Sequence, residues 1–360
     1  NDKPIADAQS ITAIEDVEKP IILTGSDGDS DANQSLTYIL TDLPLTGSLS
    51  QVSAGSIITS SDLPLILLST ELFFTSASND VSNQAFTFKV QDDGGTSNGG
   101  VDESPNAIVT VSITPVNDEP VINALSNPDA ILEDVGLQTI NLAGIGDGDA
   151  DATQSITVTA ISSDTNLIPH PAVIYSSNNS TGSLTYTPIS NANGDAIITV
   201  TITDNGGTAN SGVNAQSITF SITVTAVNDE PSYINGEDIA ILEDSGISIT
   251  PNWATSISTG PPNESDQIPV FTVINDDNLL FSVQPVISQS GALTFTPAPN
   301  ANGVATVTIS LSDDGGTLNS GINTYENQTF SITVTAVNDS PITSMDTNLD
   351  KIIGEGETAV

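Results

Sequence analysis

The sequence predicts an all-β chain of tandem antiparallel sandwiches, each of about seven strands. Three observations carry this. A phrase recurs: VSITPVNDEP ends at Pro120, ITVTAVNDEP at Pro231 and ITVTAVNDSP at Pro341, roughly 110 residues apart. Apolar and polar residues alternate within each copy. In SITFSITVTAV (Ser217–Val227), Ile218, Phe220, Ile222 and Val224 share one face, and Thr219, Ser221, Thr223 and Thr225 the other. That period of two belongs to a half-buried strand. Gly, Asn, Asp and Pro punctuate the alternation, and no helical stripe of Ala, Leu, Glu and Lys interrupts it.

The copies can be followed segment by segment. AIEDVEK (Ala13–Lys19), AILEDVG (Ala130–Gly136) and AILEDSG (Ala240–Gly246) are versions of one stretch. GSLTYTPISNANGDAIITVTITDNGGTANSGVN (Gly182–Asn214) matches GALTFTPAPNANGVATVTISLSDDGGTLNSGIN (Gly291–Asn323), and FTFKVQDDGGTSNGGVD (Phe86–Asp102) is their first-copy counterpart. The repeats divide as 1–116, 117–227 and 228–337, with 338–360 opening a fourth. A chain that starts inside its own phrase, NDKP, reads as a piece of a longer protein. In the second copy strands are expected near 130–135, 137–142, 155–161, 172–176, 183–187, 196–203 and 217–226, a sandwich of immunoglobulin type. NANG (Asn191–Gly194, Asn300–Gly303) is a tight turn between the fifth and sixth strands. In the first copy TGSLSQVSAGSIITSSDLPL (Thr46–Leu65) lengthens the middle strands, and Trp253 is a core residue of the second strand in the third copy.

Composition narrows function by exclusion. Of 360 residues, 37% are hydrophobic, ample for several cores. Asp and Glu total 45 against four cationic residues, Lys3, Lys19, Lys89 and Lys351, giving a formal net charge of −41. Charged residues are only 14%, so the imbalance is an absence of cations more than a surplus of acids. Nucleic acid is excluded as a partner, because phosphate binding needs Lys and Arg. An anionic membrane surface would repel the chain. No apolar run reaches the ~18–20 residues of a membrane span, so membrane insertion is not expected, and the N-terminus has no signal-peptide pattern. Without cysteine there is no disulfide, thiolate zinc site or cysteine nucleophile. The single histidine, His170, sits between two prolines as an exposed loop residue. No nucleophile–base constellation can be assembled, and the chain is not expected to be an enzyme.

The acids are the informative residues. Seven strands threaded up and down a sandwich place three features at one end: the N-terminus, the second-to-third loop and the sixth-to-seventh loop. The first turn and the C-terminus lie at the other end. GDGDADATQS (Gly146–Ser155) fills the second-to-third loop of the second copy, TDNGGT (Thr203–Thr208) opens its sixth-to-seventh loop, and VND (Val116–Asp118) leads into that end. Glu15, Asp16, Asn117, Asp118, Asp147, Asp149, Asp151 and Asp204 therefore converge on one junction. Two carboxylates ~4 Å apart repel by about 4 kcal/mol at an effective dielectric near 20. With so few Lys and no Arg, such a cluster needs another cation. Carboxylate, amide and carbonyl oxygens on loops are the donors Ca2+ takes. An EF-hand is excluded, since the twelfth position from Asp27 is Tyr38 and from Asp147 is Val158, where glutamate is required. Solvated turn formation explains each acidic loop but not the convergence.

Taken together, VNDEP, ILED, the D-x-D-x-D loop, LTYTP…NANG and DDGGT resemble the tandem immunoglobulin-like and cadherin-like repeats of giant bacterial surface adhesins, over nearly the whole chain. In the cadherin-like pattern a glutamate, an Asn-Asp linker and a D-x-D loop hold calcium between successive domains. The resemblance implies Glu15, Asn117, Asp118, Asp147 and Asp149 as ligands at the first junction, and Glu133, Asn228, Asp229, Asp313 and Asp314 at the second. Asp27, Asp29 and Asp92 in the first copy, Asp134 beside Glu133, Asp266 in the third copy, and Asn338 with Asp339 at the last exit complete the candidate set. The third copy departs from the pattern: TGPPNESDQIP (Thr259–Pro269) keeps only Glu264 and Asp266 as acids where the aspartate loop should be. The second junction is therefore expected to bind fewer ions, or to bind them more weakly. The expected whole is a calcium-stiffened rod outside the cell. Its partners would be neighbouring repeats of the same chain and, in a fibre, other copies. Two other classes compete. A filament subunit would insert a terminal segment such as Asp350–Val360 into a neighbour. A ligand- or carbohydrate-binding module would show an aromatic-lined groove away from the junctions, yet aromatics are only 4%. The rows Thr199, Thr201 and Thr203 are ordinary solvent-facing strand positions.

Overall fold

β-Branched residues on alternate positions build three successive sets of strands, described over residues 1–31, 33–150 and 152–340 of a computed structural model. The first set comprises β1 (Ile5–Ala6), β2 (Gln9–Ile14), β3 (Lys19–Ile22), β4 (Gly25–Ser26), β5 (Leu36–Asp42), β6 (Ser48–Ser50), β7 (Leu65–Ile66), β8 (Glu71–Thr75), β9 (Gln84–Asp92) and β10 (Ala107–Thr114). One sheet has the order β2-β10-β9-β5-β7, the other β3-β8-β6, and β1 pairs with β4. Leu40, Phe86, Phe88 and Val109 from the first sheet meet Ile21, Leu49, Leu72 and Phe74 from the second in one buried cluster. The second set comprises β11 (Ile131–Leu132), β12 (Gln138–Ala143), β13 (Thr157–Ser162), β14 (Ala172–Ile174), β15 (Thr181–Tyr186), β16 (Gly194–Thr203) and β17 (Ala215–Thr225). These seven strands fall where the alternation predicts them, in sheets β11-β17-β16-β13 and β12-β15-β14. The third set comprises β18 (Ser232–Ile234), β19 (Ile239–Leu242), β20 (Ser248–Thr250), β21 (Thr255–Ser258), β22 (Val270–Asn275), β23 (Phe281–Ile287), β24 (Leu293–Pro297), β25 (Gly303–Ser312) and β26 (Gln328–Thr335). Its sheets are β19-β26-β25-β22 and β20-β24-β23, with β18 on β21.

Two compact units contain these strands. One spans Asn1–Ile131, Val135–Ile189 and Gly194–Val224; the other takes Leu132–Asp134, Ser190–Asn193 and the chain from Thr225. The expected opening of a fourth repeat beyond Ser340, with the segment Asp350–Val360, lies outside the described residues.

One feature of the topology positions the acids. β2 runs parallel to β10, from Gln9 beside Val109 to Ile14 beside Thr114, and β19 runs parallel to β26. The residue leaving the first strand thus lies beside the residue leaving the last. Glu15 N–H donates to Thr114 O (3.0 Å), Glu133 N–H to Thr225 O (2.9 Å) and Glu243 N–H to Thr335 O (2.9 Å). The next residue in each case, Asp16, Asp134 or Asp244, has φ of 56°, 62° or 61°. Asp tolerates this left-handed conformation better than most side chains, and it turns the chain into the second strand.

Two expectations are corrected. The insertion Thr46–Leu65 does not lengthen the middle strands. Ser/Gly-rich turns, a 3₁₀ turn over Ser60–Asp62 and Pro64 break it, and it adds the short strand β7 to the edge of β5. Trp253 is core, 3% exposed, but it lies in a bend between β20 and β21 rather than in a strand. Its Nε1–H must reach an acceptor when buried, and donates to Glu237 O at 2.9 Å.

Candidate metal centre

The first cluster is built by the Glu-Asp turn after β2, the segment after β10 and two loops of the second strand set. Glu15 is 2% exposed; its Oε2 accepts Val116 N–H at 3.1 Å, while its Oε1 has no partner. Burial pushes its carboxyl above the ordinary value, one backbone N–H opposes this, and Asp16, Asp118 and Asp149 push it further. Asp118 is raised by burial, then by Asp16 and Asp149. Charges on separate segments thus act on both Glu15 and Asp118. Asp147 Oδ2 accepts Gln154 N–H at 2.8 Å, and Asp149 accepts Ala152 N–H and the Gln154 Nε2 amide, so the loop is wound by its own N–H donors. Asp151 lies outside the described residues. Asp204 is buried, with Oδ1 accepting Gly206 N–H at 2.9 Å and Oδ2 unmatched.

Asn117 is held by a cradle that the acid pattern alone does not reveal. Its Nδ2 donates to Asp204 Oδ1 (3.1 Å) and to Val213 O (2.6 Å), leaving its buried Oδ1 without a partner. A Cβ on Gly206 would stand 1.7 Å from that Oδ1, and one on Gly212 3.0 Å from Asn117 Cβ. Gly207, by contrast, has open space but φ of +91°. The first glycine of the GGT phrase makes room; the second makes the turn.

The second cluster repeats this plan within the second unit. Glu133 Oε1 accepts Val227 N–H at 2.6 Å, and Asn228 Nδ2 donates to Asp313 Oδ1 (3.1 Å) and Ile322 O (2.7 Å). A Cβ on Gly315 would stand 1.6 Å from Asn228 Oδ1. Glu133 is raised by burial and by Asp134 and Asp229, and Asp229 by burial and Asp134. In the third strand set Asp266 is exposed, and the buried acid is Glu264, 6% exposed. Glu264 Oε1 accepts Asp229 N–H at 3.0 Å, and its carboxyl is raised by burial, then by Asp229, Asp313 and Glu133. Asp314 is exposed and accepts Ile268 N–H at 2.7 Å, matching Asn205, which accepts Ser155 N–H at 2.7 Å.

The outer candidates form half-sets. Asp27 accepts Gln34 N–H, Asp29 accepts Gln34 Nε2, and buried Asp92 accepts Asn1 Nδ2, the same wiring as around Asp147, Asp149 and Asp204. At the other end Glu243 is buried with its Oε2 unmatched, and Asn338 and Asp339 are exposed. Residues missed from sequence are Glu264, Glu243, and the glutamines 34, 154 and 267. The recurrence of Gln in NQS, TQS and DQI at one register was the available signal.

These donors fit calcium. Buried side-chain atoms without a partner at the two clusters are Glu15 Oε1, Asn117 Oδ1, Gln154 Oε1 and Asp204 Oδ2, then Glu264 Oε2, Gln267 Oε1 and Asp313 Oδ2. All are oxygens, the hard donors that Ca2+ takes. Among the described residues no three carboxylates stand together as a ready cage. Part of the donor set is side-chain amide oxygen, from Asn117, Gln154 and Gln267.

No protein-family model matches the chain, and no curated protein is similar to it in sequence. Solved structures share its fold. Mouse cadherin-23 EC22-24 aligns with a TM-score of 0.51 at 18% identity, covering 94% of this chain and 100% of that one. Protocadherin gamma B2 extracellular cadherin domains 1-5 give 0.52 at 15%, covering 94% and 60%. The protocadherin gammaB4 extracellular domain gives 0.51 at 16%, covering 92% and 49%. The chain is a tandem array of cadherin-like β-sandwiches.

Proposed function

We propose that the chain is an extender segment of an extracellular adhesin, with repeats at 1–116, 117–227 and 228–337 coupled by Ca2+. The observation that supports this most is the first cluster. A buried glutamate of one repeat, the Asn-Asp after it and the aspartate loop of the next stand together, and their unmatched atoms are oxygens. Glu15, Asp16, Asn117, Asp118, Asp147, Asp149 and Asp204 would hold the ion there. Glu133, Asp134, Asn228, Asp229, Glu264 and Asp313 would do so at the second cluster. The ion supplies positive charge that the chain lacks, and ties oxygens of successive repeats to one centre. Extracellular modules bind calcium at roughly 0.1–1 mM, so such sites fill outside cells and empty within. The structures similar in fold include domains named as extracellular, and the bacterial context rests on the sequence phrases alone. Small-angle scattering of the whole chain in millimolar calcium and then in chelator tests the reading. The distance distribution should broaden on chelation, and identical profiles would sink it.

A further inference from the structure

We infer, on the reading that both clusters take Ca2+, that the second cluster is buttressed by side-chain amides and keeps its form without the ion, whereas the first depends on it. The difference begins in sequence, where GPPNESDQ stands in place of the aspartate loop. Two prolines set a 3₁₀ turn over Pro262–Glu264, closed by Glu264 N–H donating to Pro261 O at 2.9 Å. The turn delivers Asn263 to the cluster, and its Nδ2 donates to Glu133 Oε2 at 3.3 Å. Both oxygens of Glu133 are thereby matched, where Glu15 keeps one unmatched.

Gln267 follows from the same replacement. In the second strand set the Gln154 amide is taken up by Asp149, and Asn117 Oδ1 goes without a donor. The third set has no such aspartate, and the Gln267 Nε2 amide donates to Asn228 Oδ1 at 2.8 Å. Asn191 is a third donor. With its amide nitrogen facing the carboxylates, it bridges Asp229 Oδ2 (3.2 Å) and Asp134 Oδ2 (3.3 Å). Hydrogen bonds from three amides, those of Asn263 and Asn191 charge-assisted, thus reach oxygens of the second cluster, whereas Glu15 Oε1 and Asn117 Oδ1 at the first have no donor. Glu264 and Asp313, 6% and 7% exposed, each still aim one unmatched oxygen inward, so the second cluster retains a place for an ion but does not need it to stay closed.

Hydrogen exchange read by mass spectrometry on the full chain, in chelator and in calcium, tests this directly, because Val116, Val227 and Asp229 N–H are themselves donors to the cluster carboxylates. Peptides over 115–120 and 204–207 should gain about tenfold protection or more with calcium, while those over 226–231 and 259–268 are protected in chelator and change by less than about threefold. The pair Asn263→Asp with Gln267→Glu turns donors into acceptors. It should open the second cluster in chelator and make it respond to calcium like the first, without altering the first. Equal response of both clusters in the unaltered chain would overturn the inference and leave the calcium reading standing. No response at either cluster up to about 10 mM calcium would instead bring down the calcium reading itself.

Discussion

Replacing Gly206 with alanine should cost far more than the same change one residue later. The Cβ would stand 1.7 Å from Asn117 Oδ1 and 2.4 Å from its Cγ, so the amide must leave its cradle. Two hydrogen bonds then go: one to the charged Asp204, worth about 1.5–3 kcal/mol, and one to Val213 O, worth about 0.5–1.5 kcal/mol. Together the two come to about 2–4.5 kcal/mol, and re-hydration of the expelled amide offsets part of this, so about 2–4 kcal/mol is expected. Gly207→Ala meets no atom within 4 Å and pays only for its left-handed backbone, about 1–2 kcal/mol. Urea unfolding in chelator measures the two costs, and calorimetric calcium titration measures a second difference. Gly206→Ala should weaken the first cluster's affinity by displacing Asn117; Gly207→Ala should leave it near the parent value. If Gly206→Ala costs no more than Gly207→Ala and binds calcium as the parent does, the linker asparagine is not the element these glycines serve.

The remaining predictions concern pH and the core. Glu15, Asp118, Glu133, Asp229 and Glu264 all have carboxyls raised above their ordinary values of 4.5 or 3.8. The metal-free folded state therefore holds protons that the unfolded chain has lost. The contribution of these carboxyls to its stability should rise as pH falls from 7 through the raised values and level off below the ordinary ones, opposed by the exposed Glu18, Asp62 and Asp80, whose carboxyls hydrogen bonds hold below the ordinary value. The stabilisation added by calcium should shrink over the same window, because the ion needs the charged forms; melting curves with and without chelator at several pH values should show slopes of opposite sign. Trp253→Ala should cost about 3–5 kcal/mol, since the ring is buried with its centroid 4.2 Å from that of Phe330. Circular dichroism should show the loss as an early transition, while unfolding of the first strand set, which this residue does not touch, keeps its midpoint.

Alternation located the strands because each has one wet and one dry face, and β16 shows it plainly: Ala196, Ile198, Val200 and Ile202 are buried in turn. The Glu-Asp turns were legible for a related reason, as the same phrase ends the first strand of every copy. Glu264 was harder. Which of two acids in PPNESD faces inward depends on the 3₁₀ turn that Pro262 starts, and Asp266, two residues on, comes out exposed. The recurring glutamines marked a register, but the acceptors of their amides were not legible. Gln154 and Gln267 occupy one register, yet their amides go to different acceptors because a carboxylate three-dimensionally adjacent to one is missing beside the other. Trp253 was assigned the right environment and the wrong backbone, since hydrophobicity reports burial and not the bend that achieves it.

The distribution of buried charge joins composition to site. Among the described residues the buried carboxylates are Glu15, Glu133 and Glu243 in one recurring phrase, Asp92, Asp204 and Asp313 in another, and Glu264 in the turn that replaces the aspartate loop. None has a lysine; the ion pair found among those residues is Lys89–Glu103, and Glu103 is exposed. A buried carboxylate left without a cation or enough donors normally neutralises or moves to solvent. Here the parallel pairing of first and last strands fixes each glutamate in place, and the glycine cradle fixes each aspartate through its asparagine. Among the described residues the buried side-chain atoms without partners are all oxygens, and apart from two tyrosine hydroxyls all are pure acceptors. Glu15, Asn117, Gln154 and Asp204 place these acceptors at the first cluster, and Glu264, Gln267 and Asp313 at the second. With four lysines and no arginine the chain has few cations of its own to offer them, and on the calcium reading the ion supplies that charge.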